Sequence, residues 1–497
     1  MAKTAIQPTR DEDFPTWYQA VVQQGELAEM AHVRGCMVIK PWGYGIWELL
    51  RDQMDRRIRE TGHENAYFPL FVPLSYIRKE AAHVEGFAKE MAVVTHHRLE
   101  MRDGELVPAG ELEEPVVVRP TSETIIGESM KRWIQSYRDL PLLLNQWANV
   151  VRWEMRPRVL LRTVEFLWQE GHTAHASPGE AREETAKMHE VYREFAEHVL
   201  AMPVIAGEKP ASERFPGAEN TYTIEAMMQD GKALQCGTSH FLGQNFSRAA
   251  DMIFTDENGE LVHPWTTSWG VSTRLIGGLV MVHGDDDGLR IPPAVAPTQI
   301  VVIPYTRDDE RDDALLAYCR SVAAEVESTA RFRNGPVRVK VDERLHRPVD
   351  KKWQWIKRGV PIIVELGGRE ADAGTVTFRR RSAANERETV GRAEFAADVG
   401  ALLEELQSGY LDQARAFMAA NTRDDIVDFE GFTAAFAVEG RTPFVLAKWC
   451  ERASCEEPLK PLAVTIRCLP LAQRGGEAPC VVCGQPATID AVFARSY

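Results

Sequence analysis

Apolar residues recur with two different spacings along the chain, and these spacings predict helices mixed with strands. A spacing of about three to four residues is typical of a helix. It places on one helical face Ile46, Leu49, Leu50 and Ile58. The apolar strings AYFPLFVP and EPVVVRP are instead typical of strands. Ser177, followed by Pro178 and then Glu180, forms a capping box that opens a helix running to about residue 200. Up to residue 290 the pattern therefore predicts an α+β domain, with helices flanking an antiparallel sheet.

The proline-rich string IPPAVAP at residues 291–297 indicates a linker, and the pattern changes after it. Strand and helix patterns then alternate, which predicts an independent α/β domain. A leucine-rich helical stretch follows, and we expect a third, small domain at the end. A chain of 497 residues is too long for one core, because single domains contain about 100 to 200 residues. We therefore expect three domains, at residues 1–290, 298–405 and 425–497.

The composition is that of an ordinary globular protein, 44% hydrophobic and 26% charged. No apolar run approaches the roughly 18 residues that a membrane span requires, so we expect a cytoplasmic protein with no membrane partner. The net charge of −15 argues against unspecific binding to nucleic acid. Residues 331–381 are a local exception, since they contain 14 basic and 6 acidic residues. That asymmetry predicts one face made for a polyanion.

Four of the eight cysteines fall in two close pairs near the C-terminus, namely Cys450, Cys455, Cys480 and Cys483. Disulfides are not expected in a reducing compartment, whereas thiolates on short loops suit tetrahedral coordination of zinc. Such a site has no open position, so the zinc would be structural. The alternative is four buried or incidental thiols. The other four cysteines are interpreted as non-ligands.

Three strings place charged residues at the ends of predicted elements. The string VVRWEMRPRVLLRTVEFLWQEGHTAH predicts two strands joined by a loop. The charged groups of these strands either clamp a phosphate and an ammonium or form a solvated face of the sheet. STRLIGG places Arg274 at a helix start, and RPTSETIIG places Thr121, Ser122 and Glu123 at another. On its own, Arg274 could be a surface residue and the TSE string an N-terminal cap.

Together, RWE followed by LRT, FLWQEGHTAH, QCGTSHFLGQNFSRA and STRLIGG resemble the signature motifs of class II aminoacyl-tRNA synthetases. In detail they resemble the prolyl-tRNA synthetases shared by archaea, eukaryotes and some bacteria, and the likeness covers nearly the whole chain. It implies an antiparallel catalytic sheet of six or seven strands, an α/β anticodon-binding domain, a zinc-bearing C-terminal domain and a homodimer. The implied reaction converts proline and ATP to prolyl-adenylate, releasing pyrophosphate, and transfers the prolyl group to the 3′-terminal adenosine of tRNA(Pro).

The resemblance also implies the roles of individual residues. Arg152 and Arg274 would be catalytic. The residues implied to hold proline are Thr121, Glu123, Arg152, Phe166, Trp168 and His240. Those implied to hold ATP, with Mg²⁺, are Arg152, Glu154, Arg162, Thr163, Gln235, Thr238, Ser272 and Arg274.

In the basic stretch, the candidates for reading the guanines of a proline anticodon are Glu365 and the run Arg379, Arg380 and Arg381. A carboxylate accepts the amino and imino protons of guanine, and arginine reaches its O6 and N7 atoms. The alternative for this stretch is a solvated run of charges.

Two other interpretations remain: a related class II enzyme for another amino acid, such as threonine, and a catalytically inactive paralogue that binds tRNA or an amino acid. The FLWQEGH and QCGTSH strings favour proline, and the presence of both arginines favours catalysis. Only about 100 residues separate His172 from Arg274, which leaves no room for the large editing insertion of many bacterial relatives. A pocket separates substrates by about 1 to 3 kcal/mol per methylene. We therefore expect some alanyl-tRNA, which another protein must clear.

Overall fold

The computed structural model describes residues 4–79, 90–306, 312–383 and 385–497. Its helices are α1 (Phe14–Gln24), α2 (Pro41–Glu60), α3 (Leu74–Lys79), α4 (Glu123–Trp133), α5 (Pro178–His198), α6 (Asn245–Ala249), α7 (Arg274–His283), α8 (Asp312–Thr329), α9 (Pro348–Arg358), α10 (Gly368–Ala373), α11 (Arg392–Ala420) and α12 (Phe429–Phe436).

The strands before residue 290 are β1 (Ala28–Met30), β2 (Met37–Ile39), β3 (Glu64–Asn65), β4 (Phe71–Pro73), β5 (Ala92–Arg102), β6 (Glu105–Val118), β7 (Leu142–Val151), β8 (Glu165–His175), β9 (Val204–Glu208), β10 (Asn220–Met227), β11 (Ala233–Gly243), β12 (Phe254–Thr255), β13 (Leu261–Val262) and β14 (Trp265–Ser272). Those after it are β15 (Ile300–Pro304), β16 (Arg331–Phe332), β17 (Gly335–Pro336), β18 (Val339–Val341), β19 (Ile362–Leu366), β20 (Thr375–Arg380), β21 (Glu388–Gly391), β22 (Thr422–Arg423), β23 (Phe444–Trp449), β24 (Thr465–Pro470), β25 (Ala478–Pro479), β26 (Pro486–Ala487) and β27 (Ile489–Ala494).

A single sheet of eleven strands runs through the described part of the chain, in the order β22-β23-β27-β24-β9-β10-β11-β14-β8-β7-β3. The strands from β9 to β7 pair antiparallel with their neighbours, and β3 pairs parallel with β7. These seven strands form the catalytic sheet of six or seven strands that the resemblance implied. Helix α5 covers one face of it with Met188, Tyr192 and Phe195, which are buried.

The local signals in the sequence form the elements that they predict. The Ser177 hydroxyl accepts a hydrogen bond from the backbone N–H of Glu180, and the Glu180 carboxylate accepts one from that of Ser177, so α5 begins with the predicted capping box. In α2, Ile46, Leu50 and Ile58 are fully buried, as their spacing predicts.

Residues 300–391 form a separate five-stranded sheet in the order β18-β15-β19-β20-β21, as the alternating pattern predicted. Strand β15 is parallel to β18 and β19, whereas β20 and β21 pair antiparallel. Helix α11 packs on this sheet and extends to Ala420, well past the domain end expected near residue 405.

The proline-rich string at 291–297 does connect the two units, but it is buried and belongs to the core. Its Pro293, Ala294 and Val295 are buried. The Ala294 carbonyl accepts a hydrogen bond from Gln53 (2.8 Å), and its N–H donates to Gln407 (3.0 Å). Prolines suit a buried turn because they bring no N–H that requires a partner.

The C-terminal unit extends the catalytic sheet, a continuity that the sequence pattern did not predict. Strand β24 pairs with β9, with Leu469 opposite Glu208 and Pro470 opposite Gly207. No helix of the described residues has the length and hydrophobicity of a membrane span.

Candidate active site

Two adjoining cavities open on the face of the catalytic sheet opposite α5. The larger has a volume of about 320 Å³ and the smaller about 180 Å³. Arg152, Phe166, Ser272 and Arg274 line both. All thirteen residues that the resemblance implied for proline and ATP line one or both of them.

Arg152 lies at the boundary between the cavities, directly after β7. Its Nε donates to the carbonyl oxygen of Pro120 over 2.8 Å. Its guanidinium carbon lies 5.7 Å from the ring centroid of Phe166 and 5.5 Å from that of Trp168, within cation–π range. Burial lowers the pKa of Arg152, and the charge of Glu123 acts in the opposite direction. A neutral carbonyl and two rings are thus among the groups that orient this side chain.

The TSE string lies at the start of helix α4, but its side chains bond to groups of the pocket. Ser122 precedes the helix but makes no side-chain cap; its hydroxyl donates to Oε1 of Glu170 instead (2.5 Å). Thr121 donates to the carboxylate of Glu123, and both line the larger cavity. The interpretation of this string as a simple cap is therefore wrong, because its hydroxyls are bonded to carboxylates of the pocket.

Glu170 and His172 form the floor of the larger cavity and are absent from the set that the resemblance implied. His172 Nε2 lies 3.0 Å from Glu170 Oε2, and Gln146 donates to Oε1 over 2.8 Å. Burial favours a lower pKa for His172, but its contact with Glu170 outweighs burial and the pKa is raised. Burial would raise the pKa of Glu170, yet the hydrogen bonds from His172, Ser122 and Gln146 lower it.

A signal for these two residues existed in the sequence. Alternate residues of a strand point to the same face, and Phe166, Trp168, Glu170 and His172 occupy alternate positions of β8. All four line the cavity. Because the two implied rings, Phe166 and Trp168, alternate along the strand, the same spacing could have identified Glu170 and His172 as lining residues.

The smaller cavity carries six of the eight groups implied for ATP, whereas Gln235 and Thr238 line the larger cavity. Glu154 Oε2 and Arg162 Nε form an ion pair at 2.6 Å. Arg274 Nε donates to the carbonyl of Leu161 over 3.2 Å. Arg274 begins helix α7 and is half-buried, so it is not a plain surface residue. Tyr497 also lines this cavity, and the resemblance-based residue set omitted it.

His240 closes the far end of the larger cavity. It is 8% exposed, and its Nδ1 lies 3.0 Å from the hydroxyl of Thr221. Burial lowers the pKa of its ring to about 3, so His240 is a neutral group at neutral pH. The Phe215 ring lies 4.7 Å from the imidazole, between centroids.

In the α/β unit, the structure separates the anticodon candidates. Glu365, at the carboxyl end of β19, accepts hydrogen bonds from Tyr305 and Arg379, each over 2.5 Å. Arg380, the next residue along β20, points the other way and pairs with Glu388 and Glu405, each at 2.9 Å.

Arg381 is not available to a base. Its guanidinium is 2% exposed as a side chain, and its Nη2 lies 2.5 Å from Oδ1 of Asp285. It also donates to the carbonyls of Leu289 and Ile356, each over 3.1 Å. The inclusion of Arg381 in the base-reading run is therefore wrong, because this residue joins the α/β unit to the catalytic unit.

The four C-terminal cysteines come together as their spacing predicted. Their sulfur atoms all lie within 4.8 Å of one another, and Cys450 Sγ is 3.5 Å from Cys455 Sγ and 3.6 Å from Cys483 Sγ. A tetrahedral zinc ion with bonds of about 2.3 Å has sulfur–sulfur edges of about 3.8 Å. The thiols therefore fit zinc in both chemistry and size.

The chain matches three sequence families, each over a different segment. Residues 108–283 match the tRNA synthetase class II core domain (G, H, P, S and T), residues 299–402 an anticodon binding domain, and residues 432–497 the prolyl-tRNA synthetase C-terminal domain.

Whole-length relatives agree with these segments. The proline–tRNA ligase of Protochlamydia amoebophila is 55% identical over 502 residues, and that of Paramagnetospirillum magneticum 56% over 498; both alignments cover 100% of this chain and 99% of the relative. Two structures of prolyl-tRNA synthetase from Cryptosporidium parvum also cover 99% of this chain and 97% of their own. The complex with halofuginone and AMPPNP has a TM-score of 0.89 at 36% identity, and the complex with L-proline and AMP has 0.88 at 34%.

Proposed function

Because the chain belongs to the prolyl-tRNA synthetase family, the class II proline–tRNA ligases, we propose that its larger cavity binds proline. ATP would occupy the smaller cavity and extend into the larger one, at Gln235 and Thr238. The observation that carries this proposal is that Arg152 and Arg274 line both cavities. The interpretation as a threonine enzyme is set aside by the identity of the relatives. Arg152 and Arg274 both line the cavities, which favours an active enzyme over a catalytically inactive paralogue.

On the proline side, the chemistry of the lining matches the substrate. The carboxylate of Glu123, oriented by the Thr121 hydroxyl, suits the secondary ammonium of proline. Phe166 and Trp168 offer an apolar wall for the pyrrolidine ring, and neutral His240 closes the end. A carboxylate buried in such a pocket also excludes substrates that lack the ammonium group.

Catalysis follows from position and charge. Arg152 lies where the proline carboxylate meets the α-phosphate of ATP. An oxygen of that carboxylate attacks the α-phosphorus, and the bond to the β-phosphate breaks, so that pyrophosphate leaves. Arg274 and Arg162 offset the charge that shifts toward the leaving group. The terminal ribose hydroxyl of tRNA then attacks the prolyl carbonyl, and AMP leaves.

Magnesium would accompany ATP in this site. The carboxylate of Glu154 and the side-chain oxygens of Gln235 and Thr238 are the hard donors that Mg²⁺ prefers. When bound, Mg²⁺ supplies further neutralisation of the phosphate charge. The arginines keep the phosphates in line for attack.

The experiment that tests this function is amino-acid-dependent exchange of pyrophosphate into ATP, measured without tRNA for all twenty amino acids. Exchange that depends on proline supports the proposed site and its specificity. Absence of exchange with every amino acid, from folded protein, would contradict the proposal.

For the tRNA, we propose that Glu365 and Arg379 read the anticodon, with tRNA(Pro) as the partner. Glu365 lies at the carboxyl end of the parallel strand β19, where open α/β sheets bind ligands. Arg379 lies on the antiparallel strand β20, and its guanidinium reaches Glu365 over 2.5 Å. Arg380 is held by two glutamates on the other face of the strand. The structure therefore favours the first two residues over Arg380.

The cysteine cluster is proposed to hold one structural zinc ion. All four ligands are thiols, so the site leaves no position for a substrate. Elemental analysis of purified protein should find about one zinc per chain, and replacement of all four cysteines by serine should remove it. Cys36→Ser is the control that keeps the metal. Native protein without metal would refute the assignment.

We also propose a homodimer that functions in the cytoplasm. The three-stranded sheet β4-β6-β5 exposes a set of large apolar side chains, Phe71, Val93, Leu99, Met101 and Leu106. Met101 and Leu106 are paired in register, with Leu99 two residues along the same strand, and an exposed apolar cluster of this kind marks an interaction surface. Leu99→Asp with Met101→Asp should halve the mass measured by light scattering, whereas Leu345→Asp, in the α/β unit, should not. An unchanged mass of the double variant would contradict this interface.

A further inference from the structure

Three charged side chains are buried where the C-terminal unit joins the catalytic sheet. They are Lys209, Glu225 and Arg467, which are 1%, 0% and 6% exposed. Lys209 Nζ donates to Glu225 Oε1 over 2.8 Å. The guanidinium of Arg467, on β24, donates to both oxygens of the Glu225 carboxylate over 3.1 to 3.3 Å. This set is called the junction cluster below.

The junction cluster contains two cations and one anion. The remaining hydrogen bonds of the cations go to neutral groups: Lys209 Nζ donates to the Arg467 carbonyl over 2.8 Å, and Arg467 Nη1 to the Thr465 hydroxyl over 2.9 Å. In the described residues, Glu225 is the only carboxylate in an ion pair with either cation. One positive charge therefore stays uncompensated inside the protein, where water screens it little.

This charge lies beside the wall of the larger cavity. Glu225 is paired in register with Gln235, which lines the larger cavity. Cys236 lines it too, and burial raises the pKa of its thiol to about 12, so this neighbour is neutral. Burial lowers the pKa of Arg274, and the nearby charges of Glu225 and Arg467 act on it in opposite directions.

We propose that Arg467 is a positioning residue for the nucleotide. Through the wall formed by Gln235, Cys236 and Arg274, its uncompensated charge attracts the phosphates of ATP. The C-terminal unit would thereby contribute to adenylate formation without touching the substrate. This inference rests on the proposed placement of ATP across both cavities, with Gln235 and Arg274 beside it.

The test compares variants by pyrophosphate exchange. Arg467→Gln leaves Lys209 and Glu225 as a neutral ion pair. Lys209→Met likewise leaves Arg467 and Glu225 as a neutral ion pair. Each should raise the KM for ATP about tenfold, as expected for one charge acting across a weakly screened wall, and leave the KM for proline within twofold. Arg467→Lys keeps the charge and should restore the KM for ATP.

A second measurement separates charge from distortion. Adenosine, which carries no phosphate, should inhibit wild type, Arg467→Gln and Lys209→Met equally well. Equal weakening of adenosine and ATP, or an unchanged KM for ATP in both variants, would overturn the inference. If wild type itself shows no proline-dependent exchange, the proposed function fails instead.

The chain offers a matched control. Asp490 is a buried carboxylate that also faces two cations, Lys448 at 3.2 Å and Arg474 at 2.8 Å. It lies in the same C-terminal unit but lines neither cavity. Lys448→Met removes a buried charge, since Lys448 is 8% exposed, and should leave the KM for ATP unchanged. An ATP-specific loss in this variant would also overturn the inference.

Discussion

The catalytic cavities and the anticodon candidates both combine arginine with glutamate, but they hold these side chains in opposite ways. In the cavities, Arg274 is oriented by a carbonyl oxygen, that of Leu161. In the α/β unit, Arg379 is held by the carboxylate of Glu365 itself. A carbonyl orients a guanidinium without neutralising its charge, whereas a carboxylate does both.

The difference indicates how each region meets its ligand. The cavity is organised before substrate arrives, so its positive charge acts on the phosphates at once. In the α/β unit, contact with a guanine requires the ion pair of Glu365 and Arg379 to exchange one partner for a base. That exchange is a reason for slower and more selective binding.

Of the substitutions considered, Arg152→Ala should have the largest effect, and it should affect the catalytic cavities. Loss of the guanidinium between the two cavities should lower the rate of proline-dependent pyrophosphate exchange by about 10³-fold or more. Arg132→Ala, on the exposed side of α4, is the control and should retain activity. Near-normal exchange in Arg152→Ala, with an unchanged melting temperature, would remove Arg152 from the mechanism.

Alanine as a substrate tests the selectivity of the catalytic cavities. It lacks two methylenes of proline, and each accounts for about 10- to 200-fold in discrimination. We expect alanine-dependent exchange with a kcat/KM about 10² to 10⁴ times below that of proline. An alanine signal that stays undetectable at high concentration shows that the pocket is more selective than its size and apolar lining predict.

Glu365→Gln tests the other side. Loss of one base-reading carboxylate should lower kcat/KM for charging of tRNA(Pro) by about 10- to 100-fold. Exchange without tRNA should stay at the wild-type rate. Glu343→Gln, an exposed ion-pair partner of Arg320 in the same unit, should change neither. Equal losses in exchange and charging would point to misfolding and not to base recognition.

Arg380→Gln should have the smallest effect. Its guanidinium is paired with Glu388 and Glu405 on the far face of β20. Because half-exposed pairs contribute little, charging should change by less than about twofold. A loss as large as that of Glu365→Gln would return Arg380 to the base-reading set.

Sequence strings predicted the site better than they predicted the junctions. Residues 165–172 lie on β8, which pairs with β14 up to Ser272, and the family pattern brought their side chains together with those of the flanking Arg152 and Arg274. Glu170 and His172 were absent from the implied set, although their alternation with Phe166 and Trp168 along β8 is a local signal. Their contact with the Ser122 hydroxyl, by contrast, depends on a distant segment. Arg381 looked like its two neighbours in sequence, yet its partner, Asp285, is 96 residues away.

The fold shows the same division. Capping and periodicity are local, so α2 and α5 were predictable. The pairing of β24 with β9 was not, since it joins segments roughly 260 residues apart through two residue pairs. Residues 291–297 likewise read as a linker, because burial of a turn depends on helices that pack on it from elsewhere.

The continuous sheet also affects how the chain is made. During synthesis, β9 emerges long before β24, which later covers its free edge. Until then, the catalytic half presents an unpaired strand that can capture other chains. A ribosome that stalls before residue 465 therefore releases a polypeptide that has most of the cavity wall but is prone to aggregate. The sheet is therefore completed only late in synthesis, after the C-terminal unit has been made.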